Sequence, residues 1–189
     1  MEVDAGPLTN AEIAAIARRI DRPIVLVGMM GVGKSTIGRK LAALLHLPFV
    51  DADEAIEEAA QMSISEIFER YGEPVFRDGE RRVIARLMDD GRMVLATGGG
   101  AFCDVGTREL ILGRAITVWL DSDVETLLDR VGRKNTRPLL RTGDPREILT
   151  RLREERRPAY SQAPIHVTSG NTPHMQTVIR ILRAIDQWL

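Results

Sequence analysis

Short apolar runs alternate with amphipathic stretches along most of the chain. The runs cover residues 23–28, 47–53, 92–100, 115–121 and 163–169. After each run, apolar residues recur at the spacing of a helix that packs by one face. Runs that are apolar at consecutive positions are typical of parallel strands buried on both faces. The pattern therefore predicts an α/β fold in which helices cover both faces of a five-stranded parallel sheet.

Helices are predicted between the strands and at both ends of the chain. Thr9 or Asn10 can cap the first one, which ends at Ile20, and Pro74 opens a later one that Gly91 closes. The other predicted helices cover residues 34–46, 54–60, 63–71, 104–112, 123–131, 145–156 and 173–188.

This pattern divides the chain into an N-terminal extension and one domain. Residues 1–21 form the extension with its short helix, and residues 22–189 form the domain. The extension is interpreted either as a capping helix or as a partner surface. Residues 132–144 hold two glycines, one proline and several cations, so a mobile lid is predicted there.

Composition fits a globular protein of the cytoplasm. The chain has 189 residues, of which 44% are hydrophobic and 28% charged. No apolar run approaches the roughly 20 residues of a membrane helix, and the acidic N-terminus lacks the apolar core of a secretory signal. The single cysteine, Cys103, fits a reducing compartment and excludes an internal disulfide. We therefore expect a cytoplasmic protein that does not bind membranes.

Charge is concentrated in one segment. Residues 130–157 carry ten Arg or Lys against four acids, although the whole chain has a net charge of −1. Such an excess indicates an anionic ligand, either a nucleic acid or a small phosphorylated molecule. The segment contains no aromatic residue for stacking on bases, which favours the small molecule.

The sequence GMMGVGKS, residues 28–35, predicts a nucleotide site. It fits the pattern G-x-x-x-x-G-K-[ST] at every fixed position, with a predicted strand before it and a predicted helix after it. Glycines let the backbone N–H groups face phosphate oxygens, Lys34 can reach the β- and γ-phosphates, and Ser35 can ligate Mg²⁺. A glycine-rich turn without chemistry is the alternative. ATP or GTP with Mg²⁺ is therefore the predicted ligand.

Other candidate residues follow the second and third predicted strands, at the edge where a parallel α/β sheet binds ligands. Asp51 and Asp53 are two residues apart, so on an extended strand both face the same way. One could serve the metal and the other an acceptor hydroxyl, although Asp53 could instead cap the next helix. Gly98, Gly99 and Gly100 could expose backbone N–H groups to an acceptor, or form a plain turn.

Three arginines complete the candidate set. Arg77, Arg137 and Arg156 could bind a carboxylate or phosphate through their planar forks. The alternative for any one of them is a surface ion pair, such as Arg77 with Glu73 one helical turn away.

Together these motifs resemble the shikimate kinase family. They are GMMGVGKST (28–36), DAD (51–53), F-R-x-x-E (76–80), GGG (98–100), RPLL (137–140) and RRPAY (156–160). The resemblance runs from about Pro23 to the C-terminus. It implies a three-layer P-loop kinase fold with strand order 2-3-1-4-5. It also implies ATP-dependent phosphorylation of the 3-hydroxyl of shikimate, giving shikimate 3-phosphate and ADP, in aromatic amino-acid biosynthesis.

The resemblance also assigns roles to residues. Shikimate would be held by Asp53, Arg77, Gly98, Gly99, Gly100 and Arg156. The nucleotide would be bound by Gly31, Val32, Gly33, Lys34, Ser35, Thr36, Arg130 and Arg137. Lys34, Asp53 and Arg137, the lid arginine, would be catalytic, and Asp53 would act as the base or would orient the hydroxyl. Mg²⁺ would be held by Ser35 and, through water, by Asp51.

A kinase for another small hydroxy acid, such as gluconate, remains the alternative activity. The triple glycine together with Arg77 and Asp53 argues against it. In either case the expected partners are small molecules, and the expected state is a monomer that binds no nucleic acid.

Overall fold

A computed structural model describes residues 6–132 and 143–189. The strands in these ranges are β1 (Ile24–Val27), β2 (Phe49–Asp51), β3 (Val94–Ala96), β4 (Ile116–Asp121) and β5 (Ile165–Thr168). The helices are α1 (Asn10–Arg19), α2 (Lys34–Leu45), α3 (Ala52–Ala60), α4 (Ile64–Asp89), α5 (Val105–Arg114), α6 (Val124–Gly132), α7 (Pro145–Tyr160) and α8 (His174–Trp188). A short 3₁₀ turn, Ala101–Cys103, precedes α5.

The sheet has the predicted order. Within the described residues, its five strands run β2-β3-β1-β4-β5, and all neighbouring pairs are parallel. At the centre, Ile24 pairs with Val94 of β3 on one side and with Ile116 of β4 on the other. All four residues of β1 are buried, which is why this strand is apolar at consecutive positions.

Helices cover the sheet and complete the core. The helices α1, α2 and α8 pack on one another, and α4 packs on α5. On α8, Val178, Ile181, Leu182 and Ile185 are all buried, whereas Leu189, which lies beyond the helix, is 37% exposed.

The segment after β2 differs from its prediction. The strand was expected to continue to Asp53, but it ends at Asp51 and α3 begins at Ala52. The Asp51 side chain accepts a hydrogen bond of 3.0 Å from the Asp53 amide and so caps α3. An Asp side chain that bonds the backbone two residues ahead favours a helix start over an extended chain. Asp51 and Asp53 therefore do not share one face of a strand.

Helix α4 consists of two segments joined at a bend. Gly72 has φ 77° and ψ 172°, which is not helical, and it separates the two helices expected over residues 63–71 and 74–90. A small apolar cluster of Ile56, Ile67 and Phe76 joins α3 to both parts of α4. This cluster supports one wall of the site described below.

Helix α1, in the predicted extension, shares the main core. Thr9 and Glu12 form a reciprocal capping box at its start. Ile13 and Ile16, on the face turned toward α2 and α8, are buried with the rest of the core.

The predictions of a lid and of no membrane-spanning helix can be compared only with the described residues. Most of the predicted lid, together with Arg137, lies outside the described ranges. In the part of the chain that the structure describes, no helix is both long enough and apolar enough to span a membrane.

Candidate active site

The loop between β1 and α2 has the geometry of a phosphate-binding loop. Gly28 has φ 142°, and a Cβ there would collide with the carbonyl oxygen of Leu120. Gly33 is the N-cap of α2 with φ 99° and provides no side-chain cap. The first N–H groups of a helix lack partners within the helix, so this uncapped end favours an anion.

Lys34 lies inside this loop. Its side chain is buried, and its Nζ donates hydrogen bonds of 2.7 Å to the Gly28 carbonyl and 2.9 Å to the Met29 carbonyl. A cation held over the loop by two carbonyl oxygens is well placed to contact a phosphate bound there.

Ser35 and Asp51 place oxygen atoms together beside the loop. Ser35 Oγ donates a hydrogen bond of 2.6 Å to Asp51 Oδ2. In the described ranges, no cluster of three or more His, Cys, Asp or Glu side chains could hold a metal by itself. An oxygen pair beside a phosphate site fits Mg²⁺, which is usually bound by few protein ligands and completed by phosphate and water oxygens.

A cavity of about 900 Å³ opens from the loop. Its walls come from α2, from the end of α6 and from the segment between β5 and α8. Arg130, on α6, links the phosphate loop to the segment between β5 and α8. Its guanidinium donates hydrogen bonds of 2.9 Å to the Val32 carbonyl and 2.6 Å to the Gly170 carbonyl. Partial burial lowers the pKa of Arg130. Of the eight predicted nucleotide residues, six line this cavity: Gly31, Gly33, Lys34, Ser35, Thr36 and Arg130. Val32 is buried and does not line it, and Arg137 lies outside the described ranges.

A second cavity of about 240 Å³ adjoins the first. One part of its lining is apolar and the other is charged or glycine. The apolar part consists of Met30, Ile64, Phe68 and Phe76, and the other part of Asp53, Arg77, Glu80, Gly98, Gly99, Gly100 and Arg156. All six residues predicted to hold the acceptor therefore line one cavity.

Each of the three glycines leaves room for one of these side chains. A Cβ at Gly98 would lie 2.7 Å from Asp53 Oδ1, and a Cβ at Gly99 would lie 3.3 Å from Arg156 Nη1. At Gly100 it would collide with the guanidinium of Arg77. Exposed N–H groups are one predicted reason for these glycines, and the close side chains are a second, steric reason.

Asp53 stands where the two cavities meet. Together with Met30, Gly98 and Gly99 it lines both of them. It is the second residue of α3, and the capping role once considered for it belongs to Asp51. A carboxylate at this junction can contact a hydroxyl of a molecule in the small cavity and also face a phosphate in the large one.

Glu80 is a site residue to which the sequence analysis gave no role. It is 1% exposed, and its Oε2 accepts a hydrogen bond of 2.7 Å from Arg77 Nη1. Burial raises the pKa of Glu80, and the charge of Arg77 opposes that rise. Glu73 approaches the same guanidinium at 3.4 Å from an exposed position. The motif F-R-x-x-E already indicates the pairing of Arg77 with Glu80, because residues three apart on a helix are neighbours.

The apolar wall and Tyr160 were also missed. Phe68 and Phe76 pack with ring centroids 4.5 Å apart. Their spacing along α4 was indistinguishable from that of ordinary core residues. Tyr160 closes the motif RRPAY, and its hydroxyl donates a hydrogen bond to the Gly99 carbonyl.

The two cavities together suit phosphoryl transfer. The larger one offers a phosphate loop, a lysine and an oxygen pair for a cation, and the smaller one offers two arginines, a carboxylate and an apolar wall. Transfer requires the acceptor hydroxyl to lie next to the terminal phosphate, and the shared boundary at Asp53 provides that position.

Comparisons with known proteins agree with this geometry. The sequence model described as shikimate kinase matches residues 30–186. A shikimate kinase from Novosphingobium aromaticivorans is 70% identical over the whole of both chains. The solved structure of shikimate kinase from Acinetobacter baumannii in complex with shikimate superposes with a TM-score of 0.83 at 38% identity, and covers 88% of this chain and 93% of that one.

A more distant structure shares the fold alone. The gluconokinase from Sinorhizobium meliloti has a TM-score of 0.60 at 17% identity, and covers 90% of this chain and 95% of that one. Identity at this level carries no information on the acceptor. With a family match over residues 30–186 and a relative 70% identical along its full length, the chain belongs to the shikimate kinase family.

Proposed function

We propose that this chain transfers the γ-phosphoryl group of ATP to the 3-hydroxyl of shikimate, giving shikimate 3-phosphate and ADP. The observation that carries the proposal is the pair of joined cavities with Asp53 at their junction. The smaller cavity fits a small hydroxylated acid, because it is lined by two arginines and a carboxylate together with apolar side chains that can receive a carbon ring.

On the nucleotide side, the backbone of Gly31, Val32 and Gly33 and the hydroxyl of Thr36 bind the phosphates. Lys34 contacts the β- and γ-phosphate oxygens and stabilises the charge that grows on them in the transition state. Arg130 lies against the adenine. Arg137, outside the described ranges, is proposed as the lid arginine on the strength of the family resemblance.

Mg²⁺ is proposed to accompany ATP, held by Ser35 and, through water, by Asp51. The hydrogen bond of 2.6 Å between these side chains shows that both reach the same point at the loop. When bound there, Mg²⁺ neutralises phosphate charge and orients the terminal phosphate.

On the acceptor side, Arg77 and Arg156 bind the carboxylate of shikimate, and Gly98, Gly99 and Gly100 give it close access to the backbone. Asp53 orients the 3-hydroxyl or takes its proton as the phosphoryl group is transferred. Glu80 holds Arg77 in place through their hydrogen bond of 2.7 Å. The monomeric state and the absence of nucleic-acid binding remain predictions.

The proposal is tested by measuring ADP release with ATP and Mg²⁺ in the presence of shikimate, of gluconate, or of no acceptor. We expect turnover with shikimate, and with the other two only a slow background. Lys34→Ala should lower kcat with shikimate by about 100-fold or more, because it removes a charge that stabilises the transition state. Faster turnover with gluconate than with shikimate would overturn the assignment of the acceptor.

A further inference from the structure

The C-terminal end of α7 carries a buried tyrosine beside the acceptor cavity. Tyr160 is 1% exposed, although most of α7 lies at the surface. Its ring stacks on those of Phe102 and Trp119, at centroid distances of 6.5 Å and 5.9 Å. The ring position is therefore fixed by packing against two other rings, and the hydroxyl points at the Gly99 carbonyl.

The Gly99 carbonyl oxygen receives two donors from the same helix. Arg156 Nη1 donates to it at 3.1 Å, and Tyr160, one helical turn later, donates from its hydroxyl. A carbonyl oxygen has two lone pairs, so these donors occupy its full capacity. Burial raises the pKa of Tyr160, which keeps the hydroxyl protonated as a donor.

Fixing this oxygen also fixes the next N–H group. The described residues include no cis peptide bond, so the Gly99 carbonyl and the Gly100 N–H point in opposite directions from one planar unit. The same glycine lies against the phosphate loop, since a Cβ on Gly99 would be 3.3 Å from the Met30 amide nitrogen. A glycine-rich segment has few steric limits of its own and needs such an external restraint.

We propose that Tyr160 is a positioning residue for the acceptor: its hydroxyl sets the Gly99–Gly100 peptide and, through the shared carbonyl, the guanidinium of Arg156. Tyr160 lines neither cavity, so it acts through these two neighbours. The proposal rests on the assignment of the smaller cavity to shikimate.

The test compares Tyr160→Phe with wild type. Phenylalanine keeps the stacked ring and removes the hydroxyl, which also lies within hydrogen-bonding reach of the Cys103 thiol. We expect the KM for shikimate to rise about five- to tenfold, which corresponds to one lost hydrogen bond. The KM for ATP and the kcat at saturating shikimate should stay within about twofold of wild type, because the nucleotide contacts are intact.

Tyr71→Phe is the matched control. Tyr71 is the chain's other tyrosine, and it is 52% exposed on α4. The same removal of a phenol hydroxyl should leave both KM values unchanged there. A Tyr160→Phe enzyme that loses thermal stability but keeps the wild-type KM for shikimate would overturn the proposal and leave Tyr160 as a packing residue.

A spectroscopic measurement decides the matter if Tyr160→Phe does not fold. In a Tyr71→Phe background, 3-fluorotyrosine labels position 160 alone and keeps the hydroxyl. We expect its ¹⁹F resonance to shift when shikimate is added without nucleotide. An unchanged resonance at saturating shikimate contradicts the proposal.

Failure of the proposed function is a separate outcome. If the wild-type enzyme neither turns over nor binds shikimate, the acceptor assignment is wrong, and this proposal falls with it. If wild type is active and only the Tyr160 results are negative, the acceptor assignment stands.

Discussion

Asp51, the last residue of β2, and Asp53, in the first turn of α3, have different surroundings. Asp51 is fixed by Ser35 Oγ at 2.6 Å and by the Asp53 amide at 3.0 Å, so both of its carboxylate oxygens are engaged. Asp53, two residues further along the chain, lies at the junction of the two cavities. The cap and the candidate catalytic group are therefore separate residues, which makes each testable by itself.

Asp53→Asn should abolish most turnover without unfolding the protein. The change keeps the shape of the side chain and leaves the Asp51 cap intact, but an amide cannot accept the proton of the acceptor hydroxyl. We expect kcat to fall by about 100-fold or more, the usual weight of a general base. Glu54→Gln, on the exposed neighbour, is the control and should keep wild-type kcat. A stable, fully active Asp53→Asn enzyme would contradict the assigned role.

His174 should make stability depend on pH. Burial, then the charges of Arg130 and Lys40, lower the pKa of His174 below its ordinary 6.5. The unfolded chain therefore binds this proton more readily than the folded one, so stability is full above 6.5 and falls as pH drops toward the folded pKa. His174→Gln should flatten this slope in urea unfolding measured between pH 5 and about 8. An unchanged slope would show that other groups cause it.

At the scale of elements, α4 shows how one bend shapes the acceptor cavity. The part before Gly72 carries Ile64 and Phe68 to the apolar wall, and the part after it carries Arg77 and Glu80 to the charged wall. A straight helix could not direct both sets of side chains into one cavity in this way. The left-handed φ of 77° at Gly72 is what the bend requires.

Gly72→Ala should therefore destabilise the protein and weaken shikimate binding. A Cβ at φ 77° and ψ 172°, a region that is essentially restricted to glycine, costs roughly 1–3 kcal/mol even though only Pro74 lies near it. Gly79→Ala is the matched control on the same helix, where a Cβ meets nothing within 4 Å. It should stabilise the fold by roughly 0.5–1 kcal/mol. Chemical unfolding and the KM for shikimate check both variants, and equal effects would refute the role of the bend.

At the scale of the molecule, the site forms at the topological switch point of the sheet, where the connections run to opposite sides of β1. The chain passes from β1 to β2 on one side and from β3 across β1 to β4 on the other. Crevices open at such a point beyond the carboxyl ends of the strands. The phosphate loop follows β1 and the triple glycine follows β3, so these segments, about 70 residues apart in sequence, become neighbours.

Helix α1 should contribute stability rather than catalysis. Deleting residues 1–19 would uncover the surface that Ile13 and Ile16 bury, and should lower the unfolding midpoint by roughly 5–10 °C. Both KM values should stay at wild type, because α1 lines neither cavity. Arg19→Ala, which removes only the exposed ion pair with Asp186, should shift the midpoint by less than about 2 °C. Loss of ATP binding on truncation would instead show that α1 acts through α2.

The sequence by itself determined the parts that depend on neighbouring residues. Alternation of apolar runs with amphipathic stretches predicts an α/β fold. The phosphate loop from Gly28 to Ser35 can be recognised because the strand, the glycine turn and the helix that it requires follow one another directly in the sequence. The strand order and the acceptor came instead from resemblance to a family, since hydrophobic pattern alone does not order parallel strands.

Only the tertiary structure decided which distant side chains meet. Tyr160 reaches the Gly99 carbonyl across 61 residues of sequence, and no local pattern carries that contact. Asp53 was misplaced on a strand because its position depends on the side-chain bond of Asp51, which competes with β structure. Periodicity reports which face of an element is buried, but packing decides what that face touches.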